Sequence, residues 1–104
     1  MKKPTRVVFI DKKMYKKYGK LKEDHIKKSI KKAITNIKTN AFSGIQIPKK
    51  LIPKEYKQKY NLNNLWKYDL TSGWRLMYTI VAENEDELIT AIIEWSSHKE
   101  YEKQ

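Results

Sequence analysis

Residues 64–81 read Asn-Leu-Trp-Lys-Tyr-Asp-Leu-Thr-Ser-Gly-Trp-Arg-Leu-Met-Tyr-Thr-Ile-Val. Bulky and polar residues alternate on both sides of Thr71-Ser72-Gly73, the pattern of two half-buried strands joined by a tight turn. A three-residue loop ending in glycine is a favoured hairpin connection, because its last residue usually needs a positive φ. That loop sets Leu70 opposite Trp74. Trp66, Tyr68, Leu70, Trp74, Leu76, Tyr78 and Ile80 then share one face, and Lys67, Asp69, Arg75, Met77 and Thr79 share the other. A two-residue turn at Ser72-Gly73 would instead place Lys67 and Asp69 beside Trp74 and Leu76, and burying charges among aromatics is costly. The expectation is therefore a buried aromatic face and a solvent-accessible second face carrying Lys67, Asp69 and Arg75.

The rest of the chain supplies what such a hairpin packs against. With 104 residues the chain reads as one small domain spanning residues 1–104, able to bury roughly 65% of its unfolded surface. Residues 6–11 (Arg-Val-Val-Phe-Ile-Asp) suit a short first strand, with Pro4 before it. Residues 11–20 suit a short helix carrying Met14, Tyr15 and Tyr18 and ending at Gly19. A longer helix is expected over residues 22–40. There Ile26, Ile30, Ala33, Ile34, Ile37 and Ala41 recur every three or four residues as one apolar stripe, and Glu23 and Asp24 fall in the first turn, where the helix dipole favours acids. His25 reads as an exposed residue of an early turn without a role. Residues 43–63 read as a long connection in which Pro53 opens one or two helical turns over residues 54–60. Residues 88–95 (Leu-Ile-Thr-Ala-Ile-Ile-Glu-Trp) read as an apolar strand inside the sheet. The fold expected is α+β, in the order β-α-α-β-β-β, with two N-terminal helices packed on one face of an antiparallel sheet.

Charge narrows the partners. The chain carries 23 basic and 12 acidic residues, a net +11. Residues 1–60 hold 19 basic and 4 acidic side chains, whereas residues 61–104 hold 4 and 8. Such asymmetry points to a polyanion, nucleic acid first, although a lysine-rich solvated surface has the same composition. Against a lysine background, Arg6 and Arg75 are the only arginines. A planar guanidinium makes bidentate phosphate contacts that lysine cannot; Arg75 is also placed to pair with Asp69 across the strands. Lys49, Lys50, Lys54, Lys57 and Lys59 interleave with Tyr56 and Tyr60, a mixture that suits single-stranded nucleic acid. The alternative is that both tyrosines pack on the core beneath hydrated lysines. The absence of cysteine excludes thiolate metal sites and disulfides, and two histidines make a histidine-rich metal site improbable. No apolar run approaches the ~18 residues of a membrane span, and no signal-like segment follows Met1. The expectation is a soluble cytoplasmic protein without membrane association and without a cofactor.

The segments Leu65-Trp66 and Gly73-Trp74-Arg75-Leu76-Met77-Tyr78, the basic stretch before them and the tail His98-Lys99-Glu100-Tyr101 together resemble the RelE/ParE superfamily of toxins from toxin–antitoxin systems, over essentially the whole chain. The RelE-like branch cuts mRNA in the ribosomal A site, and the ParE-like branch poisons gyrase. On this resemblance Arg75 stands where RelE-like toxins have a phosphate-binding arginine. Lys67 matches one of two strand lysines, and the second position is Asp69. His98 and Tyr101 resemble C-terminal His/Arg and Tyr residues beside the scissile phosphate, and Glu55 lies in the region of a glutamate base found in some members.

RNA transesterification requires a deprotonated 2′-hydroxyl, stabilisation of charge on the phosphorane and a proton for the 5′-oxygen, with no metal. Histidine is suited to proton transfer near neutral pH, arginine to the phosphoryl oxygens and tyrosine to stacking on a base. The resemblance therefore implies a ribosome-dependent mRNA endoribonuclease that inhibits translation. Arg75, His98, Tyr101 and Lys67 would act at the site, Lys49, Lys50 and Lys54 would hold RNA, and the partners would be the ribosome, mRNA and a cognate acidic antitoxin. The rivals are a ParE-like topoisomerase binder without nuclease activity and a non-catalytic RNA-binding module of the same fold.

Overall fold

The computed structural model describes residues 3–84 and 86–97. Its order is β1 (Arg6–Phe9), α1 (Lys12–Gly19), α2 (His25–Thr39), β2 (Ile45–Gln46), α3 (Lys54–Tyr60), β3 (Trp66–Asp69), β4 (Trp74–Ala82) and β5 (Leu88–Ser97). Short 3-10 turns at Ala41–Ser43, Lys49–Leu51 and Thr71–Gly73 join some of these elements. The five strands form one sheet in the order β1-β5-β4-β3-β2. The α+β architecture agrees with the expectation, but the sheet is mixed, since β1 runs parallel to β5. Parallel neighbours need a long crossover, and nearly the whole chain, both N-terminal helices included, lies between these two strands.

The hairpin register follows the three-residue loop. Asp69 pairs with Arg75, Tyr68 with Leu76 and Trp66 with Tyr78, and the Leu70 N–H donates to the Trp74 carbonyl at 2.7 Å. Gly73 takes a φ of 76° and Ser72 one of 56°, so two consecutive residues are left-handed where the loop was expected to need one.

Local chemistry sets the helix limits. The Asp11 carboxylate accepts from the Met14 N–H at 2.9 Å and caps α1. The Asp24 carboxylate accepts from the N–H groups of Ile26 at 3.0 Å and Lys27 at 3.3 Å. That cap starts α2 at His25 rather than near residue 22, so Glu23 and Asp24 precede the first turn instead of occupying it. The apolar stripe of α2 buries Ile26, Ile30, Ala33 and Ile37 against Leu70, Leu76, Tyr78, Ile92 and Trp95 of the sheet. Tyr78 is buried on this face, whereas Trp66, Tyr68 and Trp74 are half-buried at its margin.

The opposite face differs from the expectation. Met77 and Thr79 were expected on an open surface, yet both are buried. Ile47, Ile52, Tyr56 and Leu65 close over Met77 and Ile93 as a second, smaller core. The connection between α2 and β3 is thus a roof, and α3 is its main element. A bulge between β4 and β5 serves this second core. Met77 pairs with Glu94 and Tyr78 with Ile92, which leaves Ile93 as the extra residue. Ile93 and Glu94 therefore both turn towards the roof.

The roof is tied down at the sheet edge. The Tyr78 hydroxyl donates to the Ala41 carbonyl at 3.0 Å and accepts from the Gly44 N–H at 3.0 Å. A Cβ at Gly44 would collide with the Lys67 carbonyl and come within 2.6 Å of this hydroxyl, so the close approach of chain and strand there requires glycine. Asn64 fixes the other end of the roof, accepting from the Ile80 N–H at 2.9 Å and donating to the Ile80 carbonyl at 2.7 Å. Among the described residues no helix is long and apolar enough to cross a membrane.

Burial pushes the Tyr78 hydroxyl up to about 12 from 10.0, against the opposing hydrogen bond from Gly44, with a smaller contribution from nearby Tyr68. The unfolded chain ionises this tyrosine near 10.0, so the folded state keeps its full advantage below that pH and loses it as pH rises towards 12. Thermal midpoints measured from pH 9 to 12 should fall through this window, and Tyr78→Phe should flatten the decline. Equal slopes in the two proteins would contradict the assignment.

Candidate functional site

Two rows of side chains cross the roofed face. In one, Lys67 of β3, Met77 of β4 and Glu94 of β5 lie side by side. In the next, Asp69, Arg75 and Ser96 do the same. The second row borders the open end of the roof. A groove of about 300 Å3 runs there between residues 45–48 and Leu51 on one side and Lys67 and Arg75 on the other. Lys49 and Lys50 occupy the 3-10 turn of the roof that supplies Leu51, and Lys54 begins α3; all three are exposed.

Lys67 and Arg75 are half-buried rather than freely solvated. The Arg75 side chain is 20% exposed, and its Nε lies 3.6 Å from the Asp69 carboxylate, which is 63% exposed. An ion pair open to solvent on one side contributes at most about 1 kcal/mol, so its main effect is to orient the guanidinium. Ser96, the strand partner of Arg75, is buried, and its Oγ has no hydrogen-bond partner among the described residues.

Tyr56 is buried, and its hydroxyl donates to Glu94 Oε1. The packing alternative therefore holds for Tyr56, which is unavailable for stacking on a base. Tyr60 is half-buried beside it, with ring centroids 6.2 Å apart. Lys59 is held above the usual lysine range by its hydrogen bond to Tyr60 and the charge that tyrosine can carry, with smaller contributions from Asp11 and Glu94. Glu55 is exposed in the first turn of α3.

Of the residues singled out in the sequence, Lys67 and Arg75 come together on the groove, with Lys49 and Lys50 on the roof above it. His98 and Tyr101 lie outside the described residues. Arg6 is elsewhere, on the edge strand β1 at the opposite side of the sheet, 3.5 Å from Glu83. The residue that sequence reasoning passed over is Glu94. Its signal was a lone carboxylate within an apolar strand, a position that demands a polar partner. A larger depression of about 480 Å3 lies between α2 and the hairpin turn, lined by His25, Lys28, Ser29, Lys32, Tyr68 and Thr71 among others. It holds neither arginine, and Asp69 lies beside its two lysines, so the smaller groove, with Lys67 and Arg75, is the better suited of the two to an anion. No three His, Cys, Asp or Glu side chains cluster as a metal site among the described residues.

In comparison with known proteins, no family model, curated sequence or solved structure matches this chain at a significant level.

The rows make unequal demands on stability. Met77→Ala should cost about 2–5 kcal/mol, because it opens a cavity under the roof, whereas Asp69→Asn should change stability by less than about 1 kcal/mol. Urea unfolding of both variants checks this. Similar costs for the two would mean that the roof does not seal Met77.

Proposed function

We propose that this chain is a ribosome-dependent mRNA endoribonuclease, the toxin of a toxin–antitoxin pair, acting in the cytoplasm without a metal or other cofactor. The observation that carries the reading is the pairing of Lys67 with Arg75 along a groove whose roof bears Lys49 and Lys50. A half-buried, oriented guanidinium suits the phosphoryl oxygens of a scissile phosphodiester, and a lysine beside it adds a second positive charge. The exposed roof lysines, Lys54 included, suit the flanking phosphates. The resemblance of the Trp-Arg-Leu-Met-Tyr strand and the His-Lys-Glu-Tyr tail to RelE-like toxins supports the same reading. In it, His98 transfers a proton and Tyr101 orients the base or phosphate. A net charge of +11 suits an acidic antitoxin that neutralises the protein by covering this basic face.

Translation-coupled cleavage with purified ribosomes tests the activity. Arg75→Ala should reduce the rate by about 10²–10³, the usual effect of removing one transition-state donor, and His98→Ala by about 10²–10⁴, with neither variant unfolded. Wild-type protein that leaves mRNA intact but traps gyrase on DNA would overturn the proposal in favour of topoisomerase binding.

Binding supplies an independent check. Affinity for ribosomes or single-stranded RNA should fall steeply with salt, because each neutralised phosphate releases counterions. Replacing Lys49, Lys50 and Lys54 together by alanine should reduce the logarithmic slope on single-stranded RNA by about 2, at roughly 0.7 per contact. An unchanged slope would leave these lysines as hydrated surface.

A further inference from the structure

The depression between α2 and the hairpin turn, about 480 Å3 in volume, is continuous with the Arg75 groove. Asp69 lines both that depression and a hollow at the end of the hairpin. Arg75 lines the same hollow and then borders the groove. One surface track therefore runs round the hairpin, from the helix side of the sheet to the roofed side.

The depression is built from both of its walls. On α2, His25, Lys28, Ser29 and Lys32 recur at three- and four-residue spacing, so a single helical face looks onto the hairpin. Buried Ala33 and the half-buried ring of Tyr68 make an apolar floor. Hydroxyl groups surround that floor with unused donors. Ser29 Oγ accepts from the Thr71 N–H at 3.0 Å, and the Tyr68 hydroxyl accepts from the Asn36 amide at 2.6 Å. Each hydroxyl thus keeps its own proton for a ligand. Glu23 lies 3.4 Å from Lys27 and 2.9 Å from Lys31. Lys28 and Lys32, by contrast, have no carboxylate within ion-pairing distance among the described residues.

An apolar floor ringed by a few polar groups fits a flat base better than a bare anion. Lys28 and Lys32, one helical turn apart, suit the phosphates on either side of that base. Asp69 would repel a lone phosphate, but it accepts readily from the amino group of a base or the hydroxyl of a ribose. We propose that this depression is a second nucleotide subsite, holding a base of the same RNA strand whose phosphate lies at Arg75. The inference rests on reading the Arg75 groove as a seat for RNA, and not on cleavage. The strand is single, because the floor needs an unpaired base.

Equilibrium binding without ribosomes tests the subsite, using a fluorescent single-stranded RNA of about eight nucleotides and a duplex of the same sequence. The double variant Lys28→Ala/Lys32→Ala is compared with Lys12→Ala/Lys13→Ala, which removes equal charge from exposed positions at the start of α1. The first variant should bind the single strand about tenfold more weakly or worse, with a logarithmic salt slope smaller by about 1.4, at roughly 0.7 per contact. The α1 variant should bind within about twofold of wild type. RNA carrying 4-thiouridine should photocross-link to wild type both within residues 25–33 or 68–71 and within residues 45–51. Equal losses in the two variants would mean a diffuse field of lysines and overturn the inference. Cross-links confined to residues 45–51, or duplex bound as tightly as single strand, would overturn it too. Free mononucleotide that competes as well as the strand would make this a site for a soluble nucleotide and overturn the assignment to RNA. Any of these results leaves the nuclease reading standing. Wild type that binds the strand as predicted yet cuts nothing on ribosomes defeats the nuclease reading alone.

Discussion

The hydroxyl of Tyr78 sits where the chain passes from one face of the sheet to the other. Its ring belongs to the helix-side core, while its oxygen holds Ala41 and Gly44, the last residues before β2. From that point the chain pairs with β3 for two residues and then folds over Met77 as the roof. Removing one partner of a buried hydrogen bond typically costs about 1–3 kcal/mol, and here two backbone groups depend on one oxygen. The anchor fixes where Ile45 to Pro48 lie relative to Lys67, and therefore the width of the groove beside Arg75. The site is a consequence of how the roof is attached.

The two faces divide the work. Long-range contact between α2 and β4 through Ile30, Ile37, Leu76 and Tyr78 makes the principal core. The roof core is smaller and rests on Met77, Ile93 and Tyr56. Apolar burial dominates both, since each buried side chain contributes about 1.5–3 kcal/mol. The charges collect where that burial stops. Lys67 and Arg75 lie at the roof's edge, half-buried, so their fields are less screened than those of the exposed lysines on α2. That gradient from sealed core to semi-exposed cation is the physical ground on which the proposed phosphate site falls at Arg75 rather than in the larger depression beside α2.

The hairpin was legible because period-two alternation and a glycine-ended loop leave one register that keeps Lys67 and Asp69 away from Trp74. Shared placement of Lys67 and Arg75 followed from it, while the stripe of α2 was legible from its own three- and four-residue spacing and the helical turns over residues 54–60 from Pro53. The roof was not legible as a roof. Its pieces are two to seven residues long, too short for periodicity to declare a buried face, and they are stable only through contacts with strands distant in sequence. The parallel pairing of β1 with β5 is likewise set by the path of the whole chain. Glu94 was hidden by the bulge and by its partner, because nothing local in the sequence pairs a tyrosine at 56 with a glutamate at 94.

In the nuclease reading proposed above, a ribonucleotide's own 2′-hydroxyl attacks a phosphate held by Arg75 on this roofed face. The most direct measurement uses mRNA carrying a single 2′-deoxynucleotide on the 5′ side of the cut, presented on programmed ribosomes, with the ends of the unmodified product identified alongside. Unmodified message should yield 2′,3′-cyclic phosphate and 5′-hydroxyl ends, with no cut at the deoxy position. Cleavage of the deoxy message, or products with 5′-phosphate ends, would contradict that reading, because the nucleophile would then be water and not the RNA.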